Sequence, residues 1–135
     1  LLADKITFNN KQKVGNYIGH VYLKQGSSLL KSNTAWTYAN KDNQLEKAIA
    51  LGSALKQALF ETLMEGQKEM LKGSADKITY FPNKQWIRLE GNALLTQGKN
   101  KYQAPVIIYD ITKQRLISKK VANKRSHITI EEKTT

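Results

Sequence analysis

Ala75-Asp76-Lys77-Ile78-Thr79-Tyr80 repeats the opening stretch Ala3-Asp4-Lys5-Ile6-Thr7-Phe8, with only the closing aromatic changed. The residues after each copy keep the same offset: Gly19 is answered by Gly91, Gln25-Gly26 by Gln97-Gly98, and Val21 and Leu23 by Ala93 and Leu95. Weaker echoes stand at Asn33 to Tyr38 and Ala104 to Tyr109, each again ending in an aromatic residue. Repetition at a fixed interval is the mark of one supersecondary unit stacked on its own copy.

Each copy runs into turn-forming polar residues and then a glutamine: Asn9 to Gln12, Lys41 to Gln44, Phe81 to Gln85 and Thr112 to Gln114. Asn, Asp and Pro at such places favour hairpin turns. Between turns the residues alternate. Ile87, Leu89, Ala93 and Leu95 share one face, and Arg88, Glu90, Asn92 and Thr96 the other. Period two is the pattern of a half-buried strand. The same parity pairs Ile6 with Phe8, Trp36 with Tyr38, Ile78 with Tyr80 and Ile107 with Tyr109, and groups Tyr17, Val21 and Leu23. One stack of hairpins could share the apolar interior these residues make. Thr79 and Trp86 fall on the outward parity.

The stretch from Leu45 to Leu71 is rich in Ala, Leu, Glu and Lys, and propensity alone favours a helix there as far as Leu63. Gly52, Gly66 and Gly73 punctuate it, and a helix would interrupt two mirrored halves. Strands are therefore expected, and with them an all-β fold of short antiparallel strands forming a single domain over residues 1–135.

No run of about eighteen apolar residues occurs, so no membrane-spanning helix is expected and the chain is expected to be soluble. Leu1 in place of Met fits an exported chain whose leader is gone. Cysteine is absent, which removes disulfides, a thiolate nucleophile and Cys-ligated zinc. His20 and His127 have no second ligand at metal spacing. No phosphate loop or nucleophile elbow is present, and Asp4 and Asp76 occupy repeat-equivalent places that a unique catalytic pair would not share. They are expected to neutralise lysines or guard a strand surface. Neither enzymatic activity nor a cofactor is expected. Twenty-two Lys plus Arg against eleven Asp plus Glu give a net charge of +11, which calls for an anionic partner. Only Arg88, Arg115 and Arg125 are Arg, so the planar fork used in base reading is scarce.

The order of these units resembles the LptA family, or OstA-like domain, with its Ala-Asp-Lys-Ile-Thr-Tyr, Leu-x-Gly-Asn-Ala and Gln-Gly. Ala75 to Tyr80, Leu89 to Ala93 and Gln97-Gly98 carry the likeness in the second half, and Ala3 to Phe8, Ile18 to Val21 and Gln25-Gly26 in the first. It reaches the terminal Lys124 to Thr129, departs at His20, where Asn is usual, and is poor over Leu45 to Leu71 apart from Phe60 and Gly73. The resemblance implies a slightly open, twisted β-jellyroll whose interior receives lipopolysaccharide acyl chains in the periplasm. It implies a carrier, with Phe8, Tyr17, Phe60, Ile78, Tyr80 and Leu95 lining the interior and Lys5, Lys77 and Lys99 near the anionic head group. It also implies head-to-tail homo-oligomers, with LptC at an N-terminal edge (Leu1 through Phe8) and LptD at a C-terminal edge (Arg115 through Ile130).

Three other readings compete. A soluble domain of LptC or LptD would use related strands. A basic nucleic-acid-binding β-domain fits the charge but not the scarcity of Arg or the inward aromatics, so no nucleic-acid partner is expected. A glycan hydrolase would need a carboxylate pair that the chain lacks.

Overall fold

In a computed structural model, residues 1–63, 69–119 and 127–129 are described. Among them every regular element is a strand. The eleven are β1 (Lys5–Asn9), β2 (Val14–Gln25), β3 (Ser28–Ala39), β4 (Leu45–Leu51), β5 (Ala58–Leu63), β6 (Met70–Ala75), β7 (Lys77–Phe81), β8 (Trp86–Gln97), β9 (Asn100–Asp110), β10 (Arg115–Lys119) and β11 (His127–Thr129). The stretch from Leu45 to Leu71 supplies β4, β5 and the start of β6, so pairing in the sheet overrides its helical propensity. Gly66, expected to punctuate that stretch, lies outside the described residues.

All pairings are antiparallel, and the long strands change partners half-way. β3 pairs β5 through Ser28–Lys31 and β4 through Thr34–Ala39. β8 pairs β7 through Trp86–Glu90 and β6 through Leu94–Gln97. With β4 on β7 and β5 on β6, the hydrogen bonding closes into a ring pressed into two layers. One layer runs β1-β2-β3-β4-β7-β8-β9-β10, and the other carries β5 and β6 between the remaining halves of β3 and β8, with β11 on β9. This is the expected jellyroll.

The crossing from layer to layer is made at two equivalent β-bulges. In β2 the register breaks between Ile18 and Val21, with Gly19 and His20 at φ of 82° and 48°. In β8 it breaks between Glu90 and Ala93, with Gly91 and Asn92 at 85° and 47°. A left-handed residue costs little only when it lacks a Cβ, and a bulge bends its strand. The repeat-equivalent aspartates belong to these bulges. Asp4 N–H donates to Gly19 O at 2.9 Å and Asp76 N–H to Gly91 O at 3.0 Å, and a Cβ on either glycine would strike the carboxylate. The two aspartates, expected to neutralise lysines or guard a strand surface, brace the bends, with His20 and Gln57 as their side-chain partners.

The main core lies between the layers in the second half. Ile78, Ile87, Leu89 and Ile107 of the first layer meet Phe60, Leu71 and Leu95 of the second. Gly73 leaves room for that packing, since a Cβ would stand 3.0 Å from Leu89 Cδ1 and the leucine would have to shift. A smaller cluster of Tyr17, Val21 and Ala35 continues the interior toward the N-terminus.

Candidate functional site

Register fixes which side chains line the interior. Across the first layer the cross-strand partners run Phe8, Gly15, Thr37, Ala48, Tyr80, Ile87 and Tyr109. A second row runs Ile6, Tyr17, Ala35, Ala50, Ile78, Leu89 and Ile107. The facing row of the second layer is Leu23, Leu30, Phe60, Gly73, Leu95 and Tyr102. Apolar side chains thus form one floor from β1 to β9, as directly opposed residues of a pleated pair share a face.

Of the six residues expected in the interior, Tyr17, Phe60, Ile78, Tyr80 and Leu95 are buried. Phe60 and Tyr80 touch across the layers with ring centroids 5.1 Å apart. Phe8 differs. It stands on the inner row but is 50% exposed, and Ile6 beside it 52%, whereas their repeat equivalents Tyr80 and Ile78 are 4% and 0% exposed. The cause is position in the stack: β1 is the last strand of its layer, paired with β2 on one edge and with no strand on the other among the described residues.

Two further expectations change as well. Parity along the sequence groups Trp36 and Tyr38 with the interior, yet Ala35 and Thr37 hold the inner positions of β3, and Trp36 is exposed on the outer face. Tyr17 needs that arrangement, since its hydroxyl meets Thr37 Oγ1 at 3.0 Å and a larger inner residue would fill its place. Thr79 takes the outer parity as expected but is buried beneath its neighbours. Trp86 is exposed, as its parity implied.

Three of the strand-to-strand turns gather along one rim, and there the interior ends in a polar mouth. A cavity of about 400 Å³ opens between the β2–β3, β7–β8 and β9–β10 turns, with Tyr80 at its floor and Gln25, Ser28, Thr62, Gln85 and Gln114 around it. Two tyrosines bridge the layers at this rim. Tyr80 Oη donates to Ser28 Oγ at 3.5 Å, and Tyr109 Oη to Gln97 Oε1 at 3.2 Å. Burial, with Tyr102 and Asp110 adding to it, pushes the Tyr109 phenol up to about 12. The backbone N–H of Lys113 holds Asp110 below the usual carboxylate range. Sequence reading missed this polar rim, although the repeated Gln25-Gly26 and Gln97-Gly98 marked it.

The three lysines do not converge. Lys5 and Lys77 occupy equivalent outer-face positions beside the two bulges, while Lys99 sits in the β8–β9 turn on the mouth side. Of the C-terminal edge, residues 115–119 pair with β9 as β10 and 127–129 as β11. Residues 120–126 and Ile130 lie outside the described residues. Among the described residues no group of His, Asp and Glu could hold a metal ion.

Comparison with known proteins agrees with this geometry. The chain superposes on the crystal structure of LptH from Pseudomonas aeruginosa, described as the LptA-homologous periplasmic component of its lipopolysaccharide transport device. The TM-score is 0.87 at 25% identity, over 97% of this chain and 93% of that one. It is 30% identical to the Pseudomonas aeruginosa lipopolysaccharide export system protein LptH over 83% of its length, and 28% identical to the Haemophilus influenzae lipopolysaccharide export system protein LptA over 96%. It spans 62% and 73% of those relatives' lengths. The model of the family described as LptA/(LptD N-terminal domain) LPS transport protein matches residues 1–115, and the chain belongs to that family.

Proposed function

We propose that this chain is a non-enzymatic periplasmic carrier of lipopolysaccharide, holding acyl chains along the inner rows and leaving the phosphorylated head group in water. The observation that carries the reading is the exposed end of the apolar floor. Ile6 and Phe8 continue the rows formed by Ile78 and Tyr80 but stay half exposed, where Ile78 and Tyr80 are buried. Apolar surface left uncovered is a binding surface, and each acyl methylene transferred onto it gains about 0.8 kcal/mol. The packed centre suits a carrier as well: it leaves shallow, end-exposed contacts in place of a deep pocket that would retain its cargo. For the head group, Lys99 on the mouth side is the better placed of the three lysines, and Lys5 and Lys77 would attract anions from the outer face.

The same repeat supports head-to-tail assembly. β7 holds β8 on one edge and β4 on the other, whereas β1, its equivalent, holds β2 and leaves its other edge unpaired among the described residues. β10 stands to β9 as β4 stands to β3. A β10 laid along β1 of a second copy would therefore reproduce the β4–β7 pairing, a form of strand addition. In this reading LptC meets the N-terminal edge and LptD the C-terminal edge.

The test places a photo-crosslinking amino acid at Phe8 on the inner face and, separately, at Thr7 on the outer face. Each variant is then exposed to purified lipopolysaccharide. Crosslinking at Phe8 and not at Thr7 is the expected result, and equal crosslinking at both, or none, refutes the interior site.

A further inference from the structure

The outer face of the first layer carries a pattern that transport through the interior does not use. Trp36, Ile49, Ile108 and Ile117 share its central register rows, and Ile18 lies one row away. Ile18, Trp36 and Ile117 are among the exposed large apolar residues. Nearer the rim, Tyr38, Phe81 and Trp86 follow one another with lysines laid over them. Lys47 Nζ is 4.5 Å from the Tyr38 ring centroid, and Lys84 Nζ is 5.9 Å from that of Phe81 and 5.8 Å from that of Trp86. Lys5, Lys77, Arg88 and Arg115 point from the same face by register. The carboxylates that share it are already engaged, Glu90 by Arg88 at 3.1 Å and Asp110 by Trp86 Nε1 at 2.9 Å.

The geometry points to this face as a docking surface for an anionic lipid bilayer. Exposed aliphatic residues with Trp and Tyr toward a rim, and lysines whose stems lie on those rings while their ammonium groups stay in water, are the arrangement that settles at a headgroup boundary. Charge complementarity selects the occupant. The face is strongly basic, and each lysine near an anionic leaflet contributes about a fivefold gain in partitioning. A protein partner is disfavoured by the same residues, because the buried centre of a protein interface is depleted of lysine. Docked this way, the jellyroll would rest with one layer on the membrane and its mouth rim beside the headgroups. The inference stands independently of what the interior binds.

The chain contains two Trp residues, Trp36 and Trp86, and both are on this face, so their emission reports on it alone. Vesicles of mixed phosphatidylglycerol and phosphatidylcholine should shift that emission to the blue and float with the protein, an effect lost in high salt. Phosphatidylcholine alone should do neither. Lys47→Gln and Lys84→Gln should each weaken partitioning about fivefold, while Phe8→Ser on the inner face leaves it unchanged. No blue shift on the anionic vesicles overturns the proposal and leaves the face to a protein. Binding that survives both lysine changes but is lost in Phe8→Ser overturns it too, by moving the lipid to the interior.

Discussion

Gln57, in the β4–β5 turn, reaches the Asp76 bulge of the second repeat: its Nε2 donates to Asp76 Oδ1 at 3.3 Å, and to Gly91 O and Asn92 O at 3.4 and 3.2 Å. Gly52 N–H adds a bond to Asp76 O at 2.9 Å. The first copy of the bulge has no such clasp among the described residues. There His20 Nδ1 turns to Asp4 Oδ2 at 2.8 Å, both side chains being largely exposed. Repeat-to-repeat docking is thus completed in the middle of the molecule and left open at its N-terminal end.

Removing that clasp should therefore matter where it exists. Gln57→Ala is expected to cost about 1–2 kcal/mol in urea unfolding, since it strips a donor from two carbonyls and a carboxylate at the bend. His20→Ala, at the exposed counterpart, should change stability by less than about 0.5 kcal/mol.

The two bulge glycines offer a paired comparison. Gly91→Ala forces a Cβ onto a φ of 85° and against Asp76, whose carboxylate is held by Gln57. A loss of about 2–4 kcal/mol is expected. Gly19→Ala meets the same φ strain at 82°, but Asp4 can swing away into solvent, so a smaller loss is expected. Equal losses for the two would show that the clasp does not stiffen the second bulge.

Two phenylalanines of the inner rows should differ in energy. Phe60→Ala, at a site sealed against Tyr80, is expected to destabilise by about 3–5 kcal/mol. Phe8→Ala should cost under about 1 kcal/mol, because half of that ring already meets water. If head-to-tail assembly uses β1, Ile6→Asp should abolish concentration-dependent association in sedimentation while leaving the melting curve nearly unchanged.

Alkaline pH should loosen the rim between the layers. Tyr109 is raised to about 12 in the folded protein, against an ordinary value of 10.0. The unfolded chain therefore releases this proton first, and the stability the neutral phenol contributes is fully present below pH 10 and is lost as pH rises toward 12. Of the order of 1–2 kcal/mol is expected to disappear over that window. Tyr109→Phe should flatten this part of the profile, as judged by urea midpoints measured across it.

Strand identity, hairpin turns and the internal repeat were legible in the residues, because period-two alternation and turn chemistry are local properties. Ile78, Tyr80, Leu89 and Leu95 could be assigned to an interior on alternation alone, and the repeat settled the strands of the Leu45 to Leu71 stretch against their helical propensity. Which copy of a repeated unit is covered is not local. Ile6 and Phe8 carry the same side-chain pattern as Ile78 and Tyr80, and they are exposed only because β1 ends its layer with one edge unpaired among the described residues. Likewise Trp36 went outward because pairing with Tyr17 and Ala50 set Ala35 on the inner side. The sequence by itself determined two like units of antiparallel strand. The closing of β3 and β8 into two layers decided which faces are buried and which end stays open, since burial depends on what packs opposite a side chain and not on the side chain alone.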